Sequence, residues 1–326
     1  MCTAVNFKTK NHYFGRNLDL EYTYQETVTV TPRNYPFRFR TMGEICSHYA
    51  MIGMAYVVED YPLYYDATNE KGVSMAGLMF AGNAHYPELA EGKDNVSPFE
   101  FIPWVLAQCE NMQEVRKLLE RVSLVNIAFS KELLLTPLHW MISYKGESLV
   151  VESMQDGLHI YENPVGVLTN NPPFQTQLWN LNNYMGLSGE KQENRFADSL
   201  SLKEYSRGMG AMGLPGDLSS ASRFVRAAFV LHNSVCGEQE EESVGQFFHI
   251  LTSVEQQRGC VRMGEKEYEV TAYSSCCNAD QGIYYYTTYG NRQISAVDMH
   301  QEDLEGNQLV SYSLVKNEQI YCQNTR

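Results

Sequence analysis

The second residue of the chain is a cysteine, Cys2, which directly follows Met1. We expect Met1 to be removed, because the residue after it is small, and Cys2 then carries both a thiol and a free α-amino group. A thiol is the most nucleophilic side chain near neutral pH, and an adjacent amine can take its proton. An α-amino group has a pKa of about 7.7–8, close to the pH at which a general base works best. The sequence therefore predicts a nucleophile that carries its own base.

Two charged residues close in sequence are suited to support this nucleophile, Arg16 and Asp19. A guanidinium beside the thiol would stabilise the thiolate and lower the pKa of the cysteine. The carboxylate could accept a hydrogen bond from the amine, as the third member of a catalytic triad orients its base.

This chemistry requires an ordered chain terminus, whereas termini are often disordered. Residues 3–7 have the composition of a strand, residues 8–11 that of a short turn, and residues 12–16 that of a second strand. We therefore predict a hairpin that holds the terminus inside a sheet.

The remaining sequence alternates between strand and helix patterns. The aromatic stretch 61–66 is interpreted as a turn or loop, either packed in the core or lining a pocket for an apolar acyl group. Strands are predicted near 26–31, 49–58, 73–80, 138–144, 148–152, 157–161, 165–168, 267–274, 282–288 and 293–299. Helices are predicted at 98–109, after a cap at Asn111, at 221–235 and at 243–256, with a short helix near 175–185.

This order of elements predicts an α+β fold in which two packed antiparallel sheets are covered by helix layers. We see no Pro/Gly/Ser-rich linker, so residues 1–326 are predicted to form a single domain whose mature chain starts at Cys2. The polar, weakly patterned segment 175–212 is interpreted as a surface excursion.

The overall charge limits the kinds of partner. The formal net charge of −14 argues against nucleic acid and against an anionic membrane surface. Any attraction of an anionic substrate would therefore have to come from arginines near the site. We find no basic segment followed by an apolar run at the start, and no run of about 18 apolar residues, so we expect no export and no membrane insertion.

The cysteines and histidines do not have the spacing of a metal site. The eight cysteines include no C-x-x-C pair, and the eight histidines include no H-x-x-x-H pair. We therefore predict no metal and no cofactor. A reduced, cytoplasmic protein fits this cysteine usage best.

Several motifs spread along the whole chain resemble the choloylglycine hydrolase family, which comprises conjugated bile salt hydrolases and penicillin V acylases. The motifs that carry this resemblance are Met1-Cys2-Thr3, Phe14-Gly15-Arg16-Asn17-Leu18-Asp19, Pro32-Arg33-Asn34, Asn69-Glu70-Lys71-Gly72, Ala76-Gly77-Leu78, Leu138-His139-Trp140-Met141-Ile142, Gly166-Val167-Leu168-Thr169-Asn170, Gly213-Leu214-Pro215-Gly216-Asp217, Ser220-Ala221-Ser222-Arg223-Phe224 and Gly282-Ile283-Tyr284-Tyr285-Tyr286. They occur in a consistent order over essentially all 326 residues.

The resemblance implies a four-layer αββα fold of the N-terminal-nucleophile hydrolases and an amidase mechanism through a Cys2 thioester. It implies that Arg16, Asp19 and Arg223 are catalytic and that Asn170 supplies a side-chain amide to the oxyanion hole. Asn17 would help hold the terminus. The resemblance also implies assembly into homotetramers, with which segment 175–212 is associated.

One position departs from the family pattern. Bile salt hydrolases usually have Asn, and penicillin V acylases often Tyr, where this chain has Met79. Its backbone N–H can still serve the oxyanion hole, and a thioether can pack against a steroid or an aryl group. Two substrate classes thus stay open: glycine- or taurine-conjugated bile acids, which we favour, and penicillin V or another N-acyl amide such as an acyl-homoserine lactone. A catalytically silent protein is disfavoured because Cys2, Arg16, Asp19, Asn170 and Arg223 are all present.

Overall fold

A computed structural model describes residues 1–324 of the chain. Its strands are β1 Cys2–Lys8, β2 His12–Leu20, β3 Thr27–Thr31, β4 Phe37–Phe39, β5 Gly43–Ile45, β6 Met51–Val58, β7 Tyr61–Asn69, β8 Ser74–Met79, β9 Asp94–Val96, β10 Val122–Leu124, β11 Leu138–Tyr144, β12 Glu147–Met154, β13 Gly157–Glu162, β14 Val167–Leu168, β15 Val270–Asn278, β16 Ile283–Thr288, β17 Asn291–Asp298 and β18 Val310–Ser313. Its α-helices are α1 Phe101–Leu106, α2 Met112–Leu119, α3 Phe174–Asn180, α4 Ser220–Asn233 and α5 Glu240–Thr252. Short 3-10 helices lie at Pro98–Glu100, Leu181–Tyr184, Met209–Ala211 and Met299–Gln301.

The strands form two large antiparallel sheets. The first sheet has the order β14-β1-β2-β15-β16-β17, so the N-terminal hairpin lies at its centre. The second sheet has the order β13-β12-β11-β8-β7-β6-β3-β18. Two small two-stranded sheets, β9-β10 and β4-β5, accompany them.

Three apolar cores separate four layers. Side chains from the facing surfaces of the two sheets, such as Phe14, Leu78 and Met141, form a core between them. Helices α1 and α2 cover the outer face of the second sheet. Helix α5 covers the outer face of the first sheet. The predicted α+β class and αββα layering are thereby confirmed.

Two adjacent cysteines in β15 show why apolar and polar residues alternate little along the strands of the first sheet. Cys276 packs in the core beneath α5, and Cys277 packs in the core between the sheets. Successive side chains of a strand point to opposite faces, so both can be buried only because both faces are covered.

Most predicted elements exist, with shifted boundaries. The N-terminal hairpin is confirmed, and its second strand continues to Leu20. The side chain of Asn111 accepts a hydrogen bond from the Glu114 N–H, which confirms the predicted cap. The predicted helix 98–109 is shorter, because it consists of a 3-10 turn and α1.

One structural prediction was wrong. The stretch 61–66 is not a turn but the first part of strand β7. The prediction failed because the pairing of β6 with β7 shifts register after Met54. Such a shift interrupts the regular alternation of buried and exposed side chains by which a strand is recognised. Strand β18, a short exposed edge strand, was not predicted.

Segment 175–212 carries α3, two 3-10 turns and otherwise irregular chain. Several of its large apolar side chains are exposed: Trp179, Met185, Phe196, Tyr205 and Met212. Over residues 1–324, we find no helix with the length and apolarity needed to traverse a bilayer.

Candidate active site

Cys2 is the first residue of β1 and is buried between the two sheets. Its backbone N–H donates a hydrogen bond of 2.8 Å to Oδ1 of Asn170. Its carbonyl oxygen accepts a hydrogen bond of 2.6 Å from Nη1 of Arg223. Two residues that lie far away in sequence therefore hold the backbone of Cys2 from both sides.

Met1 precedes Cys2 and is held by contacts of its own. Its ammonium lies 2.5 Å from Oε1 of Glu269 and 2.7 Å from the carbonyl oxygen of Asp19. Burial raises the pKa of the Glu269 carboxyl, against the opposing effect of the N-terminal charge. While Met1 is attached, the nitrogen of Cys2 is an amide, which cannot act as a base.

Arg16 is fully buried on β2, on the face to which the thiol of Cys2 points. Cys2 pairs with Leu18, and Arg16 lies two residues before Leu18, so the three side chains share one face. The guanidinium donates from Nη1 to the carbonyl oxygens of Gly77 at 2.5 Å and Tyr65 at 3.1 Å. Burial acts to lower the pKa of Arg16, but the thiol of Cys2 and other acidic groups raise it above its usual value.

A buried carboxylate not anticipated from the sequence, Asp66, lies near Arg16. Its oxygens accept hydrogen bonds from the hydroxyls of Tyr273 at 2.7 Å and Tyr284 at 2.6 Å. Burial raises the pKa of Asp66, and the charge of Arg16 opposes this rise. Asp66 was missed because it lies in the stretch interpreted as a turn, where a carboxylate would be exposed.

Asp19 approaches from the opposite face of the first sheet. Its Oδ1 accepts a hydrogen bond of 2.6 Å from Thr271, and its Oδ2 lies 3.8 Å from Nη1 of Arg223. Burial raises the pKa of Asp19, while Arg223 and the N-terminal ammonium oppose the rise. Arg16 thus lies on the thiol side of the first strand pair and Asp19 on the other side.

Asn170 follows β14 and connects several parts of the site. Its Oδ1 accepts from Cys2 N–H and from Nη2 of Arg223, at 2.8 Å each. Its Nδ2 donates to the carbonyl oxygen of Met79 at 2.8 Å. Because Oδ1 faces two donors, the orientation of the amide is unambiguous. One hydrogen of Nδ2 remains for another acceptor.

Arg223 lies in the first turn of α4, where a cation is unfavourable for the helix dipole. Its partners explain this position. Besides Cys2 and Asn170, its Nη1 donates to Oγ1 of Thr3 at 2.6 Å and its Nε to the carbonyl oxygen of Leu218 at 3.1 Å.

Met79 is the last residue of β8, and its side chain is 36% exposed. The N–H of Phe80 donates to the carbonyl oxygen of Pro137, on the side of β11. Since successive N–H groups of a strand alternate in direction, the N–H of Met79 is directed to the opposite edge, where its carbonyl meets Asn170.

Asn17 differs from the other candidates. Its Nδ2 donates to the carbonyl oxygen of Leu251 at 2.9 Å, and its Oδ1 accepts from Ser274 at 2.7 Å. These contacts hold α5 and β15 to β2. The structure thus brings together Cys2, Arg16, Asp19, Asn170, Arg223 and Met79, whereas the side chain of Asn17 is directed elsewhere.

An apolar cavity of about 170 Å³ begins at Tyr65 and Gly77, the two residues whose carbonyls hold Arg16. It extends between β7 and the loops that precede β3, α1 and β11. Its further lining includes Tyr24, Tyr56, Leu63, Phe99, Ile102, Phe129, Leu133, Leu134, Leu135, Leu138 and Trp140. The aromatic stretch 61–66 therefore contributes both to the core and to this cavity.

No group of three or more His, Cys, Asp or Glu side chains suited to hold a metal ion occurs within residues 1–324. The chemistry available at Cys2 is that of a thiol beside a cation, with amide donors on one side. This arrangement can form and stabilise a covalent acyl intermediate.

Comparison with known proteins gives a consistent result. Residues 2–312 match the model of the linear amide C–N hydrolases, choloylglycine hydrolase family. The bile salt hydrolase/transferase of Lactiplantibacillus plantarum is 54% identical over 324 residues, which cover 99% of this chain and 100% of that protein. The bile salt hydrolase/transferase of Clostridium perfringens is 40% identical and matches 97% of this chain and 98% of its own length.

Solved structures agree with the fold. A mutant of the conjugated bile acid hydrolase from Clostridium perfringens superposes with a TM-score of 0.92 at 38% identity, over 99% of this chain and 100% of that one. Penicillin V acylase from Agrobacterium tumefaciens has a TM-score of 0.74 at 20% identity, over 95% and 90% of the two chains. The latter likeness concerns the fold alone.

Proposed function

The chain belongs to the choloylglycine hydrolase family of linear amide hydrolases, and from this premise we propose that it cleaves the amide bond of glycine- or taurine-conjugated bile acids. The observation that carries the proposal is the arrangement around Cys2, with Arg16 on the thiol side and Asp19 on the amine side. Its likeness over 99% of the chain to a bile salt hydrolase/transferase supports the choice of substrate.

Acylation would begin after removal of Met1. Sγ of Cys2 attacks the amide carbonyl while the α-amino group accepts the thiol proton, and Arg16 stabilises the thiolate. The tetrahedral oxyanion is stabilised by the free N–H of Asn170 Nδ2 and by the backbone N–H of Met79. The C–N bond then breaks, and the α-ammonium returns its proton to the leaving amino acid.

Deacylation would reverse these roles with water as the nucleophile. The α-amino group takes a proton from water, whose oxygen attacks the thioester carbonyl. The same donors stabilise the second oxyanion, and collapse releases the bile acid and regenerates the thiol. Asp19, Arg223 and Asn170 keep the amine and the backbone of Cys2 in position throughout.

The apolar cavity beside Arg16 is the proposed site of the steroid. Its aromatic and aliphatic lining suits a rigid hydrophobic acyl group better than a polar one. The carbonyl of the substrate would then lie at the mouth of the cavity, where Gly77 and Tyr65 meet Arg16.

A second substrate class is favoured by one observation. Met79 is partly exposed and replaces the side chain that usually distinguishes the two branches of the family. Penicillin V or another N-acyl amide, including acyl-homoserine lactones, is therefore the alternative.

We extend the proposal to the state of the protein. Residues 1–326 act as one domain whose mature chain starts at Cys2, and it assembles into a cytoplasmic homotetramer that needs no cofactor. The exposed apolar side chains of segment 175–212, such as Phe196 and Tyr205, are the candidate assembly surface.

The deciding experiment is amine release from glycocholate, taurocholate and penicillin V by the parent protein and by Cys2→Ala. Release from the bile salts alone, abolished by Cys2→Ala, is the expected result. Cleavage of penicillin V without the bile salts would move the chain to the alternative. A rate that survives Cys2→Ala would refute the mechanism.

A further inference from the structure

A buried histidine–glutamate pair that the proposed reaction does not use lies behind the oxyanion donors. His139 on β11 and Glu152 on β12 are both fully buried, with Nδ1 3.0 Å from Oε1. Both side chains are on the face of the second sheet that looks toward the first sheet, at the end where Cys2 lies. Buried titratable side chains require partners, because removing an unpaired polar group from water is costly.

The pair holds both ends of the segment that carries Asn170. Nε2 of His139 lies 2.8 Å from the carbonyl oxygen of Thr169, the residue before Asn170. Oε1 of Glu152 accepts a hydrogen bond of 2.9 Å from the N–H of Phe174, at the start of α3. The strand end and the following turn are thus fixed to the second sheet at two points.

The same imidazole also contacts the other proposed donor strand. The ring of Phe80 stacks on His139, with centroids 4.3 Å apart and an interplanar angle of 5°. Phe80 directly follows Met79, and its N–H is anchored on the carbonyl oxygen of Pro137. One side chain therefore lies against the neighbour of each proposed oxyanion donor.

The hydrogen-bond partners determine where the protons are. A carbonyl oxygen can only accept, so Nε2 of His139 must carry a hydrogen toward Thr169. Nδ1 and Oε1 of Glu152 are 3.0 Å apart, so a hydrogen must also lie between these two atoms. If Glu152 became an amide, its Oε1 would need a donor at Nδ1, and a neutral imidazole could not supply hydrogens at both nitrogens. The contact with Thr169 would then be lost, or, if the amide turned its nitrogen toward Nδ1, Phe174 would lose its acceptor instead, so one of the two attachments breaks in either case.

We propose that His139 and Glu152 form a positioning pair that sets the location of the Asn170 amide relative to the Met79 backbone N–H. This inference rests on the proposed function, since it assumes that these two groups stabilise the oxyanion. It predicts that the pair affects the transition state and not the ground state of the acyl group, because neither side chain lines the apolar cavity.

The test uses Glu152→Gln and the double variant His139→Leu/Glu152→Gln. The double variant leaves no unpaired charge and still offers Phe174 an acceptor, so it is expected to fold even if the single variant does not. The matched control is His12→Gln. His12 is also a buried histidine that links the two sheets, through Ser143 at 2.9 Å, but it lies at the distal end of the β1–β2 hairpin.

Four quantities are measured for each variant: kcat, KM, the affinity for the aldehyde analogue of the bile acid, and the rate of Cys2 alkylation by iodoacetamide. The aldehyde forms a tetrahedral adduct with the thiol and needs the oxyanion donors, whereas alkylation does not. We expect kcat and the aldehyde affinity to fall together by about 10²-fold, as for a displaced catalytic group. KM and the alkylation rate should stay within about threefold of the parent, and His12→Gln should retain kcat.

The inference is overturned if kcat of the folded variants stays within about threefold of the parent. It is also overturned if the alkylation rate falls by the same factor as kcat, or if His12→Gln loses as much kcat as the other variants. The effect is then a general destabilisation of the fold. Failure of the proposed function is seen separately, as a parent protein that does not cleave the conjugates.

Discussion

Nη2 of Arg223 donates a hydrogen bond of 2.8 Å to Oδ1 of Asn170, and this contact determines which end of the amide faces the reaction. Because the oxygen is also held by the N–H of Cys2, the nitrogen must face Met79 and the proposed oxyanion. A residue of helix α4 thereby orients a residue at the edge of the first sheet.

The first prediction concerns this amide. Asn170→Asp keeps an oxygen for Arg223 and Cys2 but removes the N–H donor, so kcat should fall by about 10²–10³-fold. Thermal unfolding should show that the variant remains folded. Asn182→Asp, whose side chain donates to the carbonyl oxygen of Trp179, is the control. An Asn170→Asp enzyme with parental kcat would exclude the donor role.

The second prediction concerns the guanidinium of Arg223, which donates to several acceptors at once. Lysine keeps the charge but cannot contact the Cys2 carbonyl, Thr3 and Asn170 at once. Steady-state kinetics should show that Arg223→Lys lowers kcat about 10²-fold, because Cys2 and the amide are displaced. Arg226→Lys, one turn further along α4, should retain activity. Equal losses in the two variants would argue for a helix effect.

The third prediction concerns Met1. As long as it is attached, its ammonium contacts Glu269 and Asp19, and the nitrogen of Cys2 is not basic. Protein produced while methionine aminopeptidase is inhibited should therefore have activity in proportion to its processed fraction. Intact mass gives that fraction, and the burst of amine release gives the number of active sites. Full activity in unprocessed protein would contradict the proposed base.

The fourth prediction concerns the acyl cavity. Phe129 lines it, packs edge-on against Phe99 at 5.3 Å, and is covered by the guanidinium of Arg40. Phe129→Ala removes apolar contact and should raise KM for conjugated bile acids about tenfold, equivalent to about 1.4 kcal/mol, with a smaller change in kcat. Initial rates over a range of substrate concentrations measure both. Tyr321→Ala, at an exposed aromatic residue, is the control and should leave KM unchanged.

The fifth prediction concerns stability at low pH. Burial lowers the pKa of His12 from 6.5 to about 4. As the pH falls, the unfolded chain therefore binds this proton at a higher pH than the folded chain does. The contribution of the neutral His12 to the free energy of unfolding is complete above pH 6.5 and is lost as the pH falls from 6.5 to about 4. The full loss amounts to about 3 kcal/mol. Urea unfolding should show that the free energy of unfolding of His12→Gln falls less than that of the parent between pH 7.5 and 4.5. An equal fall in both proteins would assign the loss of stability to other groups.

The sequence was sufficient where local pattern and site coincide. Cys2, Arg16 and Asp19 lie on one hairpin, whose strands alternate around a short turn. Asn170 and Arg223 meet Cys2 only through tertiary packing, and their residue types are equally common in turns and surface ion pairs. Their assignment depended on the family resemblance.

Other parts of the site escaped prediction for physical reasons. Asp66, His139 and Glu152 are buried titratable residues, and nothing in their local sequence distinguishes them from solvated ones. The side chain of Asn17 lies on the opposite face of the strand from Arg16 and contacts Leu251 on α5. Only the packing of α5 on the sheet determines this contact, so the local sequence does not predict it.

The first sheet is covered on both faces, and this determines how such an enzyme can diverge. Arg16 and Asp19 are held on strands where any change in size or charge disturbs a packed core. One part of the wall of the apolar cavity, including Tyr24, Phe129 and Leu134, comes from connecting loops, which tolerate substitution and insertion. Natural drift can therefore alter the range of acyl groups accepted while the bond-breaking apparatus stays the same, so substrate preference and chemistry are inherited as separable traits.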